Sequence, residues 1–467
     1  MSIYKRFFLV LTGVFFTLPF LISQSVIVHS IEILGLKRTR IAVVQRELTF
    51  SEGDTILQAD LAEILERNRN NLLNIGLFNE VDVNVGEWNT DNNEIDIVIE
   101  VRESWYIYAV PILDLADRNF NVWWTTYNHS LDRLNLGARL DYLNFTGRND
   151  KLKAQWQVGY TPKQEIEYRF PYLNKKQSFG FTTGVLHSIN KEVIVRSRNN
   201  KEESIKLDDS KLQERWRGQF TIQFRYTSYL RQELGWSYES LTVDTAILEE
   251  NPHFFRNGDT KHNTHTLQYS YEYDDRDLRI YPSKGIKAIF EVEKKGWGKS
   301  DDENLLTSTI SMEWNHTSGT RWLHRLSGIG HYSLSRNQPS YVHYKAFGYE
   351  QKFVRGYELY VVDGLDYLIG KYQLSYKILE KQVNWRKLIP VEQFRKMPLD
   401  VYLSFHLESG RVNDPFTGDV NPLANSWLLG EGLGLNVLLY HNFLFQLNVN
   451  RNHLGEVGFF IHNHTSF

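Results

Sequence analysis

Cysteine is absent from this 467-residue chain. The protein can therefore form no disulfide, bind no metal through a thiolate and carry no lipid on an N-terminal cysteine. A basic excess is also missing, because 53 lysines and arginines stand against 56 aspartates and glutamates, for a net charge of −3. Nucleic-acid-binding domains usually carry a marked positive charge, so this balance gives no support for a nucleic-acid partner. The absence of cysteine fits an exported protein that is built without disulfides.

Long apolar runs are lacking too, apart from one at the N-terminus. Two basic residues, Lys5 and Arg6, precede the apolar residues 7–22, and polar residues follow. A membrane-spanning helix needs about 20 apolar residues, whereas this order of basic, apolar and polar residues is typical of a secretory signal peptide. We expect residues 1–24 to be a signal peptide, with a transmembrane anchor as the alternative. Any membrane crossing by the rest of the chain must then be made by strands.

Alternating strands account for most of the sequence from residue 104 onward. Each has about ten residues, the length that crosses a bilayer at a tilt. In residues 151–160 an apolar face alternates with a polar one, and residues 219–226 and 267–274 repeat the pattern. The apolar face of the first segment consists of Leu152, Ala154, Trp156, Val158 and Tyr160. We expect this face to contact lipid and the polar face to line a lumen.

The number of these segments decides between two mainly-β folds. A soluble β-sandwich has the same period, but its apolar face forms a core and its polar face meets solvent. We count about sixteen segments up to Phe467, which lies in the range of single-chain bacterial barrels and favours a transmembrane antiparallel β-barrel. The division of residues 105–127 into one strand or two stays open. The mean hydropathy of −0.43 is compatible with a barrel, because lipid-facing and lumen-facing residues average out.

The lengths of the connections indicate the side of the membrane that each one faces. Outer-membrane barrels have short periplasmic turns and long external loops. If the first strand runs outward, turns such as 146–150 lie on the periplasmic side of the membrane. The long connections then lie on the external side, at 189–214, 245–263, 336–365 and 411–430. The basic segment 380–398 is also long, yet this count places it on the periplasmic side. We interpret it as a basic surface element of unassigned role.

Residues 25–103 have a different periodicity. They predict a β-α-α-β-β module, with helical spacing in residues 39–48 and 60–75. Asp60 is placed to cap the second helix, whose buried stripe would consist of Leu61, Ile64, Leu65, Leu72 and Leu73. This order of elements and the Gly-Leu-Phe turn at residues 76–78 resemble a polypeptide-transport-associated (POTRA) domain. Such a domain can bind an extended chain along an exposed sheet edge, and a rigid spacer is the alternative.

A polar loop late in the chain carries the most informative motif, which consists of Val354, Arg355, Gly356 and Tyr357. An arginine inside a barrel needs a carboxylate partner, because an unpaired buried charge is costly. Glu408 is a candidate, because the alternation of residues 401–410 places Glu408 and Gly410 in the lumen. A second motif occupies a strand and the turn that follows it, and contains Asp275, Arg276, Asp277, Pro282 and Gly285.

Together with the targeting segment and the POTRA-like module, these motifs resemble the signature of the BamA/TamA superfamily of outer-membrane assembly and secretion barrels. In that family the loop arginine packs inside the barrel against an Asp-x-Gly strand motif. Glu408, Ser409 and Gly410 match that motif here, with glutamate in place of aspartate. The resemblance implies a signal peptide in residues 1–24, one periplasmic POTRA domain in residues 25–103 and an outer-membrane barrel in residues 104–467.

The resemblance also implies a function, that of a protein insertase or translocase. Periplasmic clients would dock on the POTRA domain and then use a weak seam between the first and last strands of the barrel. A dedicated secretion pore for one exoprotein and a passive porin are the alternatives. The implied partners are the outer-membrane bilayer, unfolded client polypeptides and accessory subunits of periplasmic or lipoprotein type. A single POTRA domain, where principal insertases carry several, argues against the role of the cell's main assembly factor.

Motifs for catalysis and metal binding are weak. Gly-Lys-Ser at residues 298–300 lies in a hairpin loop, and Glu293 stands where a phosphate loop needs its first glycine. No His-Glu-x-x-His and no Gly-x-Ser-x-Gly occurs, so we expect no catalytic residue and no cofactor. His462 and His464 share a strand face, but a third ligand at fixed spacing is lacking. We therefore interpret them as polar lumen residues and expect no metal.

Overall fold

The computed structural model describes residues 24–115, 120–125, 127–174, 176–207, 211–297, 301–349, 352–384, 395–441 and 443–465. The predicted signal peptide lies outside these ranges, except for its last residue. No helix in the described part of the chain is long and apolar enough to cross a membrane. A small α+β domain comes first and is followed by a sheet of sixteen antiparallel strands.

In the N-terminal domain, two helices cover one face of a four-stranded sheet. Its elements are β1 (Ser25–Leu34), α1 (Ile41–Glu47), β2 (Thr55–Leu57), α2 (Leu61–Asn74), β3 (Phe78–Asn89) and β4 (Glu94–Glu103). Apolar residues of alternate strand positions, such as Val28, Ile97 and Ile99, are fully buried beneath the helices. The structure contains one strand that the sequence did not predict, β2, which pairs antiparallel with β1. Three residues are too few to show the period of a strand.

The predicted cap of the second helix is wrong. Asp60 does precede α2, but its side chain makes no capping hydrogen bond. Its backbone is already helical, at φ −96° and ψ −8°, whereas a capping residue needs an extended backbone. The predicted stripe does face the core: Leu61, Leu72 and Leu73 are buried, and Ile64 and Leu65 pack against them.

The order of strands in this domain leaves one long edge. The sheet runs β2-β1-β4-β3, with β1 parallel to β4. One edge is the three-residue β2, and the other is the twelve-residue β3. The pairing of β3 with β4 shifts register between Val85 and Trp88, and Trp88 is 40% exposed. An exposed edge of this length can accept a further strand.

The described strands after residue 103 are β5 (Ile107–Leu115), β6 (Leu134–Leu143), β7 (Lys151–Gly159), β8 (Lys163–Phe170), β9 (Phe179–Asn190), β10 (Glu192–Arg198), β11 (Lys201–Lys206), β12 (Gln213–Arg225), β13 (Leu230–Val243), β14 (Lys261–Asp274), β15 (Gly285–Lys295), β16 (Leu305–Ser318), β17 (Trp322–Ser333), β18 (Lys345–Phe347), β19 (Val362–Asp363), β20 (Asp366–Asn384), β21 (Lys396–Asn413), β22 (Trp427–Leu439), β23 (Phe443–Asn452) and β24 (Val457–Thr465). Two pairs, β10–β11 and β18–β19, form hairpins within loops, and the other sixteen strands form one sheet from β5 to β24. The predicted barrel of about sixteen strands is confirmed. The described part of residues 105–127 holds a single strand, β5, and the short helix α3 (Phe120–Thr125).

Burial follows the predicted alternation along the strands. On β7 the side chain of Trp156 is 67% exposed, and that of the next residue, Gln157, is 6% exposed. Leu403, Phe405 and Leu407 of β21 are exposed as well, and the residues between them are buried. The outer face is therefore apolar and the inner face polar, as a transmembrane barrel requires.

Tyr160 departs from the predicted face. It lies just after β7 and is buried, with a relative exposure of 7%. Gly159 has a φ of +113°, which breaks the alternation and turns Tyr160 inward. Its hydroxyl contacts Glu192, and it accepts a hydrogen bond of 2.8 Å from Arg133 Nη1. The prediction that Tyr160 contacts lipid is wrong because the strand ends one residue earlier.

The N-terminal domain packs directly against the short turns of the barrel. Its core continues into Tyr106, Leu143 and Tyr172, which belong to the first part of the barrel. The carboxylate of Glu47, at the end of α1, forms an ion pair with Arg225, at the end of β12. The connections after β6, β8, β12 and β14 therefore face this domain, and the long connections after β9, β13, β17 and β21 lie at the opposite end of the barrel. We call these the domain end and the far end.

The basic segment 380–398 is partly strand. β20 continues to Asn384 and β21 begins at Lys396, so these two strands project at the domain end. Lys396 Nζ lies 3.4 Å from Glu80 Oε1 on β3 of the N-terminal domain. Residues 385–394, which include Trp385, Arg386 and Lys387, lie outside the described ranges. Lys396 therefore supplies part of the contact between barrel and domain.

The outward face of β7 provides a test of membrane integration. Trp156→Arg is expected to destabilise the barrel by about 2–4 kcal/mol if the residue lies near the bilayer midplane, because arginine is costly on the lipid face. Gln155→Arg should cost far less, because residue 155 points inward between Arg139 and Glu165 of the neighbouring strands. Urea unfolding in liposomes, followed by heat-modifiable migration on gels, measures both. Equal losses for the two variants would contradict the assigned faces.

Candidate functional site in the barrel lumen

The loop between β17 and β20 folds back into the barrel. Its β18–β19 hairpin and described residues between the two strands form an apolar cluster with the inner wall. Val354 and Tyr357, both predicted as motif residues, are 0% and 3% exposed in this cluster. Wall residues of the same cluster are Ile369 on β20, Val412 on β21 and Leu428 on β22. We call residues 334–365 the lumen loop.

Arg355 meets the residue that the strand register predicts for it. Its Nη1 lies 2.8 Å from Glu408 Oε1. Its backbone N–H donates a second hydrogen bond of 3.0 Å to Glu408 Oε2. Glu408 is 1% exposed, so its charge must be balanced by the groups around it. The contact fixes both the side chain and the backbone of the loop at Arg355.

A second cation, which the motif did not reveal, shares this carboxylate. Lys371 Nζ lies 3.1 Å from Glu408 Oε2 and donates to the carbonyl oxygen of Phe353 at 2.8 Å. Lys371 on β20 is directly opposite Glu408 on β21. The alternation of β20 would have placed Lys371 in the lumen, and this signal was available in the sequence. Glu408 therefore holds one cation from the loop and one from the wall.

His406 completes the polar contacts of Arg355. Arg355 Nη1 donates to His406 Nδ1 at 2.6 Å, so the imidazole accepts at Nδ1 and is neutral. Its Nε2–H then donates to Ser404 Oγ at 2.9 Å, and that hydroxyl donates to the Gly434 carbonyl at 3.1 Å. His406 stands where the related family usually has an aromatic residue or glycine. Here it extends the arginine contact across β21 to β22.

Two glycines make room for the loop. A Cβ at Gly410 would lie 2.8 Å from side-chain carbons of both Phe347 and Val354. A Cβ at Gly430 on β22 would lie 1.8 Å from the carbonyl oxygen of Arg355. Gly410 belongs to the predicted site, whereas Gly430 was not singled out. Both positions must remain without a side chain for the loop backbone to reach the wall.

The end of the motif is fastened to β22 and β23. Gly356 has a φ of +88°, and its N–H donates to Glu358 Oε2 at 2.7 Å. Glu358 Oε1 in turn accepts from Asn450 Nδ2 at 2.7 Å. The Tyr357 hydroxyl contacts the imidazole of His453. The motif therefore bridges three wall strands, β21, β22 and β23.

The strand and turn motif lies at the domain end, apart from the lumen loop. Arg276 donates to Asp274 Oδ1 at 2.8 Å and to Glu313 Oε1 at 2.9 Å. Asp277 Oδ1 accepts from the backbone N–H groups of Leu278, Ser283 and Lys284, which closes the turn.

The rest of that motif shapes the turn around a glycine. Asp275 Oδ1 accepts from the backbone N–H of Ile286 at 2.6 Å. Gly285 has a φ of +106°, and a Cβ there would lie 2.7 Å from the Cα of Arg276. Pro282 lies in the same turn, three residues earlier. Asn74 of α2 donates to the carbonyl oxygen of Asp277 at 2.8 Å, so this motif holds the N-terminal domain.

A hairpin docks on two other loops at the far end of the barrel. The β10–β11 turn at Asn200 docks on the lumen loop and on the loop after β21. The N–H of Val361 donates to the carbonyl of Asn200 at 2.9 Å, and the N–H of Leu423 donates to Asn200 Oδ1 at 2.8 Å. Nothing in the alternation of the sequence predicts this contact, because it depends on the fold of three loops.

A cavity of about 770 Å³ lies inside β12–β14 and is lined by charged residues including Arg215 and Glu239.

In the part of the chain that the structure describes, the first and last strands of the sheet share no strand ladder. Within the described residues β5 pairs with β6 alone, and β24 pairs with β23 alone. The side chain of Leu113 on β5 is 72% exposed, and Val457 on β24 is 66% exposed. His462 is half-buried and its ring stacks on Phe353 of the lumen loop, and the side chain of His464 lies outside the described residues. The sheet therefore has a seam between β5 and β24.

Comparison with known proteins gives the class of this barrel and then its family. Residues 26–104 match the family model described as POTRA, surface antigen variable number repeat, and residues 144–367 match the Omp85 superfamily domain. The chain is an outer-membrane protein transport or assembly barrel with a periplasmic POTRA domain. It belongs to the Omp85 superfamily, whose members are generally transporters and insertases and not enzymes. A search of curated proteins gave no match.

Two solved structures share this fold at low sequence identity. BamA from Haemophilus ducreyi, lacking POTRA domains 1–3, is 12% identical over 94% of this chain and 84% of its own, with a TM-score of 0.53. CdiB from Escherichia coli is 9% identical over 96% of this chain and 92% of its own, with a TM-score of 0.50. At these identities the likeness concerns the fold. Because the POTRA domain of an Omp85 barrel is periplasmic, the domain end faces the periplasm and the far end faces the cell exterior.

Proposed function

We propose that this protein is an outer-membrane insertase or translocase that receives unfolded polypeptides on its POTRA domain and releases them through the barrel seam. The observation that carries the proposal is the seam between β5 and β24, across which the described residues form no strand ladder. Strand edges with free N–H and C=O groups are templates for pairing with another chain. An incoming strand of a client could pair at this seam before it enters the bilayer.

The sequence of the end strands supports a weak seam. β5 contains Pro111, which cannot donate a ladder hydrogen bond and is typical of an edge strand. β24 begins with apolar outward residues, including Phe459 and Ile461, and ends in the polar residues 462–465. Few apolar residues at that end leave little to hold it in lipid. Both edges are therefore poor partners for each other and open to a third strand.

The POTRA domain supports the first step, in which a client is received. The edge strand β3 is exposed from residue 86 to residue 89. Binding by strand addition uses backbone hydrogen bonds and so accepts many sequences. Lys396 contacts Glu80 near the start of β3, so this end of the strand lies beside the barrel. A client strand on β3 would therefore be held close to the periplasmic mouth.

The docked loops at the exterior end bear on the alternatives. A secretion pore for one exoprotein would have to move both the β10–β11 hairpin and the lumen loop to open a straight path. A passive porin would need a path through the barrel that is permanently open. The docked hairpin and loop favour release through the seam over both routes. A large, steady conductance of the intact protein in a planar bilayer would favour the porin.

The absence of cysteine makes a direct test clean. Cysteines would replace Leu113 on β5 and Phe459 on β24, two outward residues of the exterior halves of the end strands. The folded variant is then reconstituted in liposomes and treated with a bifunctional maleimide. We expect the intact protein to accelerate insertion of a urea-unfolded outer-membrane barrel, measured as protease protection of the client. Locking the seam should return the rate to that of liposomes without the protein.

A crosslink between two other neighbouring strands controls for effects of the crosslinking reaction itself. Trp156 on β7 and Ile166 on β8 are equally exposed outward residues of neighbouring strands. Linking cysteines at these two positions should leave the insertion rate unchanged. If the seam lock has no effect, or if the intact protein gives no acceleration, the insertase proposal is wrong. Translocation of an exoprotein into the liposome with a locked seam would support the secretion pore instead.

A further inference from the structure

Three potential metal ligands from distant parts of the sequence meet at the exterior end of the barrel. His262 is the second residue of β14, Glu303 lies just before β16, and His343 lies near the start of the lumen loop. One ligand atom of each side chain lies within 4.8 Å of those of the other two. His262 and Glu303 are 1% and 3% exposed, and His343 is half-buried. Sequence spacing gave no sign of this cluster, because the lumen loop creates it by folding back.

Both histidines present a buried nitrogen that has no hydrogen-bond partner among the described residues. These atoms are Nδ1 of His262 and Nε2 of His343. A buried polar atom without a partner is destabilising, and native proteins rarely leave one. Two such nitrogens beside one buried carboxylate are therefore unusual in a purely structural cluster. An ion or a bridging water would satisfy both.

The surroundings orient the ligands as metal sites require. His262 Nε2 forms a hydrogen bond of 2.9 Å with Thr264 Oγ1. If Nε2 carries the proton and donates it, Nδ1 keeps its lone pair, which is the usual arrangement of a metal-binding histidine. The ring of Phe255 stacks on that of His262 at 4.8 Å between centroids. The hydrogen bond holds the edge of the imidazole ring, and the stacking on Phe255 holds its face.

The carboxylate is held in a similar way. Glu303 Oε1 accepts from the N–H of Asn304 at 3.1 Å, and Oε2 accepts from the N–H of Ser340 at 3.0 Å. Ser340 belongs to the lumen loop, three residues before His343. Each carboxylate oxygen has a further lone pair, so these bonds leave ligand capacity. Ligating carboxylates are commonly held by such hydrogen bonds.

We propose that His262, Glu303 and His343 bind a divalent transition-metal ion of the zinc class, which fastens the lumen loop to the barrel wall. Two histidines and one glutamate form a known zinc ligand set, with the fourth position open to water. Zinc ligands at tetrahedral positions lie about 3.3 Å apart, given metal–ligand distances of about 2.0–2.1 Å. The ligand atoms would therefore have to close in from their separations of up to 4.8 Å.

The ion would link three separate elements of the exterior end. His262 is on the wall strand β14, Glu303 is in the hairpin between β15 and β16, and His343 is in the lumen loop. The loop is already held at its inner end by Arg355 and Glu408. A metal at His343 would fix its outer end as well. This inference concerns loop anchoring and does not depend on the insertase proposal.

Zinc binding to the folded full-length barrel tests the proposal. The protein is purified in detergent without an oligohistidine tag, stripped with a chelator and titrated with zinc by calorimetry. We expect one tightly bound zinc per chain and a higher midpoint of heat unfolding in zinc. His343→Ala and Glu303→Gln should weaken binding at least about tenfold, since even outer-shell changes cost that much. Both variants should lose the rise in the unfolding midpoint.

Controls separate this site from other histidines and from misfolding. His253→Ala removes an exposed histidine from the loop before β14 and should leave binding unchanged. Heat-modifiable migration on gels shows that each variant is folded before it is titrated. Glu303→Gln keeps an oxygen that can accept from Ser340, so its fold should be least affected. Either no stoichiometric zinc in the folded protein or equal binding by all variants would overturn the proposal and leave a bridging water as the partner of the two nitrogens.

Discussion

Glu408→Ala is expected to destabilise the folded barrel by about 3–5 kcal/mol if the site is dry, and by less if water fills the lumen. The reason is that one carboxylate balances two cations, with Arg355 at 2.8 Å and Lys371 at 3.1 Å. Its removal leaves both cations close together without a counter-charge. Arg355→Ala should cost less, because Lys371 still neutralises the carboxylate. Urea unfolding in liposomes, followed by heat-modifiable migration, measures both losses.

A double-mutant cycle gives the coupling between the two residues. Arg355→Ala combined with Glu408→Ala should cost less than the sum of the single variants, by about 0.5–3 kcal/mol. Glu431→Ala on β22 serves as the matched control, because Glu431 is an exposed glutamate of the neighbouring strand. It should change stability little. Strictly additive losses for Arg355 and Glu408 would mean that the loop does not enter the lumen as described.

The partner of Arg355 could be predicted because strand geometry fixes it. Side chains of a strand alternate between two faces, so a run of apolar residues at 401, 403, 405 and 407 places residue 408 inside the barrel. The same rule applied to β20 would have found Lys371, which the loop motif did not suggest. The strand count and the outward face of β7 follow from the same period of two. These features depend on local sequence, and the structure agrees with them.

Other features could not be read from local sequence. Tyr160 fits the alternation of β7, yet Gly159 ends the strand and turns it inward. Asp60 is the right residue type for a helix cap, but its backbone conformation prevents capping. The docking of Asn200 on the lumen loop depends on loops that are brought together only by the curvature of the sheet into a barrel. In each case tertiary structure decides the outcome, and a single sequence holds no pattern for it.

The ion pair between Glu47 and Arg225 is expected to hold the POTRA domain against the barrel. Arg225 Nη1 lies 2.6 Å from Glu47 Oε1, and Nη2 lies 2.5 Å from Oε2, so the pair is bidentate. The Tyr172 hydroxyl donates to the same carboxylate at 3.1 Å. Glu47 is 1% exposed, so the pair is shielded from solvent. Sequence analysis did not find it, because nothing in either segment indicates that α1 packs beneath β12.

Glu47 should also make this contact sensitive to acid. Burial alone would raise the pKa of Glu47, but the guanidinium of Arg225 holds that pKa below its ordinary value. A carboxyl with a lowered folded-state pKa contributes stability above its unfolded pKa of about 4.3. That contribution is lost as the pH falls through the lower, folded value. The contact should therefore persist at neutral pH and weaken only in strong acid.

Glu47→Ala is expected to release the POTRA domain from the barrel, at a cost of about 3–5 kcal/mol, because Arg225 would remain buried without a counter-charge. The matched control is Glu63→Ala on α2, which removes an ion pair with Arg67 whose side chains are 61% and 62% exposed. Exposed pairs of this spacing contribute only about 0.3–0.5 kcal/mol. Limited proteolysis at residues 104–106, between the domain and β5, reports the release. Cleavage should speed up strongly for Glu47→Ala and hardly at all for Glu63→Ala, and equal rates would show that the buried pair does not hold the domain in place.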